Sequence, residues 1–283
     1  MEYIVSYLTA DFPHRDKFVG FFMALFGAQT VANGRNKNRD MAWFHALFLS
    51  ACVGYGGSIF TPWMFGRPIS LFFNDFNAAS IFVAFYLMHY TPMVHAFNSF
   101  PGRLSITMLS TLFRATGVKS FCTIAFEASK GTPSQLGYDI MIIGPILFPT
   151  LLGNMGALFL NGLDLLKNGI PFAFQQTLFN ATFYHFFVHD KDGIIGVTLR
   201  DLINTVPAIK FGLSDDKFAL LVVSTIMHIN AIMKMPEFAG SKFTLFRPIG
   251  YILKTIFFMN SYYGIQISNN ETKVSKEKKV KTN

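Results

Sequence analysis

The sequence predicts an all-α polytopic membrane protein with seven transmembrane helices. Apolar residues make up 51% of the 283-residue chain and charged residues only 14%, whereas a soluble domain has roughly 25% charged residues. Phenylalanine alone contributes 34 residues, more apolar surface than so few charges can cover in a soluble protein. Long apolar runs alternate with polar linkers, and the runs approach the length that a helix needs to cross a bilayer.

Three other classes of protein are excluded by the same composition. A disordered chain would be poor in aromatic residues and rich in charge. A disulfide scaffold would need more cysteines than Cys52 and Cys122. The net charge of +8 does not indicate a nucleic-acid partner, because five lysines in the last eleven residues form a separate basic tail.

The first three spans are predicted from apolar runs bounded by polar or helix-breaking residues. They cover residues 18–33, 42–65 and 78–97. The first follows a charged stretch, residues 14–17, and the polar linker 33–40 separates it from the second. The third ends before Pro101-Gly102, a pair that favours a turn.

Four further spans complete the prediction. They cover residues 104–128, 138–160, 170–188 and 218–235. The linker 130–133 contains glycine and proline and separates the fourth span from the fifth. The stretch 191–217, between the sixth and seventh spans, is long and mixed and allows a short amphipathic helix at the membrane interface.

These spans divide the chain into four regions. Residues 1–17 form an N-terminal segment, 18–238 the seven-helix transmembrane domain, 239–268 a C-terminal interfacial helix and 269–283 a disordered basic tail. The tail is too charged and too poor in apolar residues to pack. Seven spans place the termini on opposite sides of the membrane, and the basic tail favours a cytosolic C-terminus.

Glycines and prolines interrupt the second and fifth spans at corresponding positions. The second span contains Gly56 and Gly57, and the fifth contains Gly153 and Gly156. Breaks at membrane depth are tolerated where they are buried or line a wet cavity. Since each interrupted span is central in a group of three, the pattern predicts an inverted repeat of spans 1–3 and 4–6 with a site between the breaks. Close helix packing through small residues is the alternative.

Lys119 is the most informative charged residue, because it lies well inside the fourth span. A cation at that depth costs several kcal/mol unless it meets water, an anion or a partner, so it is a functional candidate. The alternatives are that Lys119 reaches an interface or pairs with Glu127. Arg114 lies nearer the start of the span and is expected to reach the interface more easily.

The histidines indicate a metal or haem site only weakly. His185 and His189 share one helix face, a spacing that can place two imidazoles on one metal. Phe186 occupies the position that glutamate has in zinc proteases. A haem held across two spans, for instance by His89 and His228, is a further alternative. No phosphate-binding loop or nucleophile motif occurs in the sequence, so we expect neither an enzyme nor a cofactor.

Three stretches, taken in their order and spacing, resemble the trimeric intracellular cation channel (TRIC) family. They are residues 42–58, Gly117-Val118-Lys119-Ser120-Phe121, and residues 153–167. The resemblance extends over about residues 42–235. It implies seven spans with an inverted repeat, a lumenal N-terminus, and a homotrimer with one pore per protomer. It also implies a potassium-permeable monovalent cation channel of the endoplasmic reticulum or another intracellular membrane.

The resemblance also assigns roles to particular residues. Gly56, Gly57, Gly153 and Gly156 mark the pore, and Lys119 is a gating and lipid-binding residue. In the family this lysine and a second basic residue contact a phosphoinositide headgroup; here Thr123 occupies the second position. The expected partners are membrane lipids, monovalent cations and further copies of the chain.

Two other functions remain open at this stage. One is a non-conducting structural or accessory subunit of a membrane protein complex that has the same fold. The other is a membrane enzyme or haem protein that uses His185, His189 or His228.

Overall fold

The computed structural model describes residues 2–34, 41–69, 71, 73–132, 134, 140–162, 172–205 and 212–240. Within these residues the secondary structure is helical, with no strand. The predicted basic tail (269–283) lies outside the described residues, as does the predicted C-terminal helix (239–268) beyond residue 240. The elements are α1 (Glu2–Leu8), α2 (Arg15–Asn33), α3 (Trp43–Met64), α4 (Asp75–Tyr90), α5 (Met93–Asn98), α6 (Phe100–Ala128), α7 (Ile143–Leu152), α8 (Met155–Asn161), α9 (Phe172–Tyr184), a π-helical turn (His185–His189), α10 (Ile194–Asn204) and α11 (Asp215–Met233).

The first group of helices packs around α2, which contacts α3, α4 and α6. Leu25 and Ala28 of α2 are fully buried, together with Ala84 of α4. The predicted first and second spans thus correspond to the helices α2 and α3. The predicted third span (78–97) is wrong at its end, because α4 stops at Tyr90. The residue before a proline is pushed out of the α-region, and Thr91, before Pro92, is indeed extended.

The fourth predicted span is α6, which begins at Phe100 rather than at residue 104. Pro101 was expected to break the chain, but it occupies the first turn of α6. A proline is accepted there because its missing N–H would have no partner in the first turn in any case. α6 packs on α2 and also on α7 and α11, so it connects the first group of helices to the helices that follow in the chain.

The two interrupted spans behave differently. The fifth is divided into α7 and α8 by a turn at Gly153 and Asn154, as predicted. The second is a continuous helix, α3, that runs through Gly56 and Gly57, so the predicted break there is wrong. A glycine inside a helix costs only about 1 kcal/mol, and the packing of α3 against α8 accounts for the glycines instead.

The predicted sixth and seventh spans correspond to the helix α9 with its π-helical turn and to the helix α11. Cys122 of α6, Phe187 of the turn and Val223 of α11 belong to one buried cluster that holds these elements together. Residues 163–171, which include the start of the predicted sixth span, lie outside the described residues. The short helix that the sequence allowed in 191–217 is α10, with Ile194 and Leu202 exposed.

Two helices of the described chain, α3 and α11, are both long enough and apolar enough to cross a membrane. Helices α3 and α4 carry several exposed large apolar side chains, which on a soluble protein would be an aggregation hazard. These side chains are Trp43, Phe44, Phe48, Phe82, Val83 and Tyr86.

Candidate functional site

A cavity of about 220 Å³ lies where α3 meets the turn between α7 and α8. It is bordered by glycines from both elements, by three polar side chains and by apolar side chains of α2, α3, α8 and α9. The glycines are Gly54, Gly56, Gly57, Gly153 and Gly156, and the polar side chains are Thr30, Arg114 and Asn154. All four glycines singled out in the sequence therefore lie together at one site.

The glycines allow the backbones of α3 and α7–α8 to touch. A Cβ atom placed on Gly56 would lie 2.9 Å from the backbone nitrogen of Gly156, and one on Gly57 would lie 2.8 Å from the carbonyl oxygen of Leu152. A Cβ on Gly156 would overlap the carbonyl oxygen of Val53. These positions thus combine both predicted roles, since they border the cavity and also permit close helix packing.

The turn between α7 and α8 has an identifiable cause. Pro149 has no N–H and cannot donate to the carbonyl of Pro145, so the helix is already weakened one turn earlier. The N–H of Gly153 still donates to the carbonyl of Pro149 at 3.0 Å, but that of Asn154 donates to Leu151 at 3.2 Å, as in a tighter turn. The break therefore presents irregular backbone to the cavity.

Asn154 connects this turn to two neighbouring helices. Its Nδ2 donates to the carbonyl of Thr150 at 2.8 Å and to Oγ1 of Thr177 on α9 at 3.0 Å. Its Oδ1 accepts from Nη2 of Arg114 on α6 at 3.4 Å. The buried amide thus fixes the break and holds a guanidinium at the cavity wall.

Arg114 is placed differently from the sequence prediction. It was expected to reach the interface because it seemed close to the start of its span. Since α6 begins at Phe100 and ends at Ala128, Arg114 lies at the middle of the helix. Its side chain borders the cavity.

Lys119 lies away from this cavity and has an acidic partner. Its Nζ pairs with Oδ2 of Asp216 in the first turn of α11, and the hydroxyl of Tyr184 donates to Oδ1 of the same carboxylate. The alternative pairing of Lys119 with Glu127 is wrong, because Lys119 pairs with Asp216. Oε2 of Glu127 instead lies 3.8 Å from Nη2 of Arg67. Arg114 and Lys119 are five residues apart, so they lie on faces of α6 separated by about 140°.

The N-terminal segment is attached to the same end of α11. Nζ of Lys217 donates to Oδ2 of Asp11 at 2.6 Å, outside the apolar part of the helix. This hydrogen bond, together with the positive charge of Lys217, lowers the pKa of Asp11 below its ordinary value.

The structure does not support a haem held by His89 and His228. Nδ1 of His228 lies 2.7 Å from the carbonyl oxygen of Ser224, and Nε2 lies 3.0 Å from the carbonyl oxygen of Met108. Both ring nitrogens are thus directed at backbone oxygens. His185 and His189, by contrast, lie with their Nδ1 atoms 3.4 Å apart.

Comparison with solved structures now identifies the fold. The structure of a trimeric intracellular cation channel from C. elegans in the absence of Ca²⁺ matches with a TM-score of 0.52 at 12% identity, over 82% of this chain and 96% of that one. The chain has the TRIC fold. The C. elegans channel with bound Ca²⁺ gives a TM-score of 0.50 at 12% identity, over 78% and 90% of the two chains.

A prokaryotic TRIC channel in 0.5 M KCl gives a TM-score of 0.46 at 14% identity, over 82% of this chain and 97% of that one. No protein-family model matches the sequence, and no curated protein does so. The two C. elegans structures confirm the resemblance found in the sequence at the level of the TRIC fold.

Within this TRIC fold, the sequence did not predict the roles of Arg114 and Asn154 at the cavity or of Asp216 as the partner of Lys119. A signal existed for two of them. Arg114 is a charge inside an apolar run, and Asp216 is an acid next to another apolar run, where it can pair with a cation of a neighbouring span such as Lys119. The role of Asn154 depends on Thr177 and Arg114 in other helices and has no local signal.

Proposed function

We propose that this chain is a distant member of the TRIC family and forms a homotrimeric, potassium-permeable monovalent cation channel of an intracellular membrane, such as the endoplasmic reticulum. The cavity at the junction of α3 with the α7–α8 turn carries the proposal. α2, α3, α4, α6, α7–α8, α9 and α11 follow the order of the seven predicted spans. The C-terminus would then be cytosolic, and each protomer would contain its own pore.

The broken helix supplies the chemistry for permeation. Irregular backbone that borders a cavity can direct carbonyl oxygens at a partly dehydrated monovalent cation. Pro149 removes one helical hydrogen bond at the carbonyl of Pro145, and the turn at Asn154 interrupts the ladder again. The glycines keep side chains out of this region.

Arg114 is the natural barrier in such a pore. Its positive charge borders the cavity and repels a cation unless an anion neutralises it or the side chain moves. Lys119 acts at a distance, because its pairing with Asp216 sets the position of α6 against α11. A phosphoinositide headgroup could act on the pore by competing with Asp216 for Lys119.

Purified protein in planar bilayers tests this function directly. We expect potassium currents that disappear when potassium is replaced by a large organic cation, and a trimeric mass after correction for bound detergent. A well-folded trimer that passes no current at any voltage, with or without phosphoinositide, would contradict the channel.

The second candidate function is a non-conducting structural or accessory subunit with the same fold. The continuity of α3 favours it, because a regular helix at Gly56 and Gly57 exposes no carbonyls. The close approach of Gly56 to Gly156 also suits a packed junction. A folded trimer that is silent in bilayers but is recovered with a defined membrane partner would support this function.

A further inference from the structure

Three side chains with metal-binding atoms meet beside the π-helical turn. Cys122 of α6 and His185 and His189 of the turn place their ligand atoms within 4.8 Å of one another. Nδ1 of His189 lies 3.4 Å from Nδ1 of His185 and 3.9 Å from Sγ of Cys122. We propose that these three residues bind a zinc-class metal ion, a site separate from the cavity of the proposed pore.

The distances fit a tetrahedral ion. Metal–nitrogen bonds of about 2.05 Å and a metal–sulfur bond of about 2.3 Å place two nitrogens about 3.4 Å apart and a nitrogen and a sulfur about 3.6 Å apart. The two imidazoles are already at the first distance. Sγ of Cys122 lies 3.9 Å from Nδ1 of His189 and within 4.8 Å of the ligand atom of His185, so the thiol must move toward both imidazoles when the ion binds.

Hydrogen bonding explains the cluster less well. An N–H donor normally lies about 2.7–3.2 Å from its acceptor, and the two Nδ1 atoms are farther apart than that. His185 is completely buried, and a metal ion bound at Nδ1 of both imidazoles would replace their weak mutual contact with two metal–nitrogen bonds.

The surroundings hold the ligands in place. The ring of Phe126 stacks on that of His189 with centroids 4.3 Å apart, and Tyr184 contacts the same imidazole edge-on at 5.5 Å. The N–H of Asp190 donates to the carbonyl of His185 at 3.1 Å, five residues back, which closes the π-helical turn. π-Helical turns are often found at functional sites.

The donor set selects the class of metal. One thiolate and two imidazoles suit Zn²⁺ and its softer neighbours rather than Ca²⁺ or Mg²⁺, which prefer oxygen ligands. Three protein ligands leave a fourth position open to water or an anion, and the partial exposure of His189 provides access. Binding would release the thiol proton of Cys122 to solvent.

Metal titration of the full-length protein in detergent, with any polyhistidine tag removed and bound metal stripped by a chelator, tests the site. We expect saturable binding of one Co²⁺ per chain, with a thiolate-to-cobalt charge-transfer band and the strong visible absorption of a tetrahedral ion. Zn²⁺ should displace the Co²⁺ and bleach both signals. No saturable binding to the wild-type protein would overturn the proposal.

Two variants and a control assign the ligands. Cys122→Ser should abolish the charge-transfer band. His189→Gln should weaken Co²⁺ binding by more than roughly 10- to 100-fold, which is the loss of metal affinity expected when a residue that only supports a ligand is changed. Cys52→Ser, at the other buried cysteine, should leave both unchanged. Circular dichroism and gel filtration establish that each variant is folded. Wild-type binding in folded His189→Gln, or loss of the band in Cys52→Ser, would refute the assignment.

Discussion

Lys119 of α6 and Asp216 of α11 form an ion pair, and Tyr184 of α9 donates its hydroxyl hydrogen to the second carboxylate oxygen. One carboxylate thus joins three helices. The side chains of Lys119 and Asp216 remain 33% and 42% exposed, so neither charge is enclosed in the core of the protein. We therefore expect its removal to affect channel function more than folding.

Changing Lys119 to Ala should clearly alter open probability or single-channel conductance, because α6 loses its connection to the first turn of α11. Lys130 lies exposed in the turn after α6, and Lys130→Ala should behave as the wild-type protein does. Single-channel recordings in planar bilayers make the comparison. Indistinguishable records for Lys119→Ala and the wild type would show that the pair has no part in gating.

The partner of Lys119 can be tested by a double-mutant cycle. Asp216→Asn removes the same ion pair from the other side, so the two single changes should shift open probability in the same direction. The double variant should then shift it little further, since residues in direct contact are not additive. Fully additive shifts would mean that the two residues act independently.

Changing Arg114 to Gln should raise the potassium conductance, because the positive charge at the cavity wall is removed while a polar group remains for Asn154. Removing about 1.4 kcal/mol of repulsion from the permeation barrier would raise the current about tenfold. The matched control is Arg67→Gln, at an arginine that is half exposed and 3.8 Å from Glu127. An unchanged or lower conductance in Arg114→Gln would exclude the guanidinium as the barrier.

Gly156→Ala should destabilise the protein by about 1–3 kcal/mol, a typical cost of overpacking, because the new methyl group would overlap the backbone of Val53. Gly144→Ala adds the same methyl group to α7 at a position with no atom within 4 Å, and it should change stability little. Thermal unfolding in detergent measures both. Equal stability of the two variants would argue against the tight crossing of α3 and α8.

The Asp11–Lys217 pair should make stability depend on pH. The folded-state pKa of Asp11 is lowered, so the pair stabilises the folded protein above the unfolded-state pKa, and this contribution is lost as the pH falls through the folded-state pKa. Asp11→Asn should therefore unfold at a lower temperature than the wild type at neutral pH, with a difference that closes on acidification and in high salt. A difference that grows in acid would contradict this.

The sequence predicts the helices well where polar residues bound an apolar run, as for α3 and α11. It also predicts the break at Gly153, because proline and glycine act on their own backbone. The prediction of a break fails at Gly56 and Gly57. A glycine inside a helix can either break the helix or let another backbone approach closely, and here the backbone of Gly156 on α8 approaches Gly56. The pairing of Lys119 with Asp216 is likewise set by helix packing across 97 positions of sequence.

The π-helical turn at His185–His189 holds one residue more than an α-helical turn. The extra residue rotates the chain that follows by about 100° around the helix axis. Asp190 then accepts from the N–H of Gly196 at 3.2 Å through its carboxylate and from Arg200 at 3.0 Å through its carbonyl, which anchors α10. Geometrically, the turn is equivalent to one extra residue accommodated within an α-helix. A homologue without that residue should have a regular α-helix there and should need a different anchor for α10.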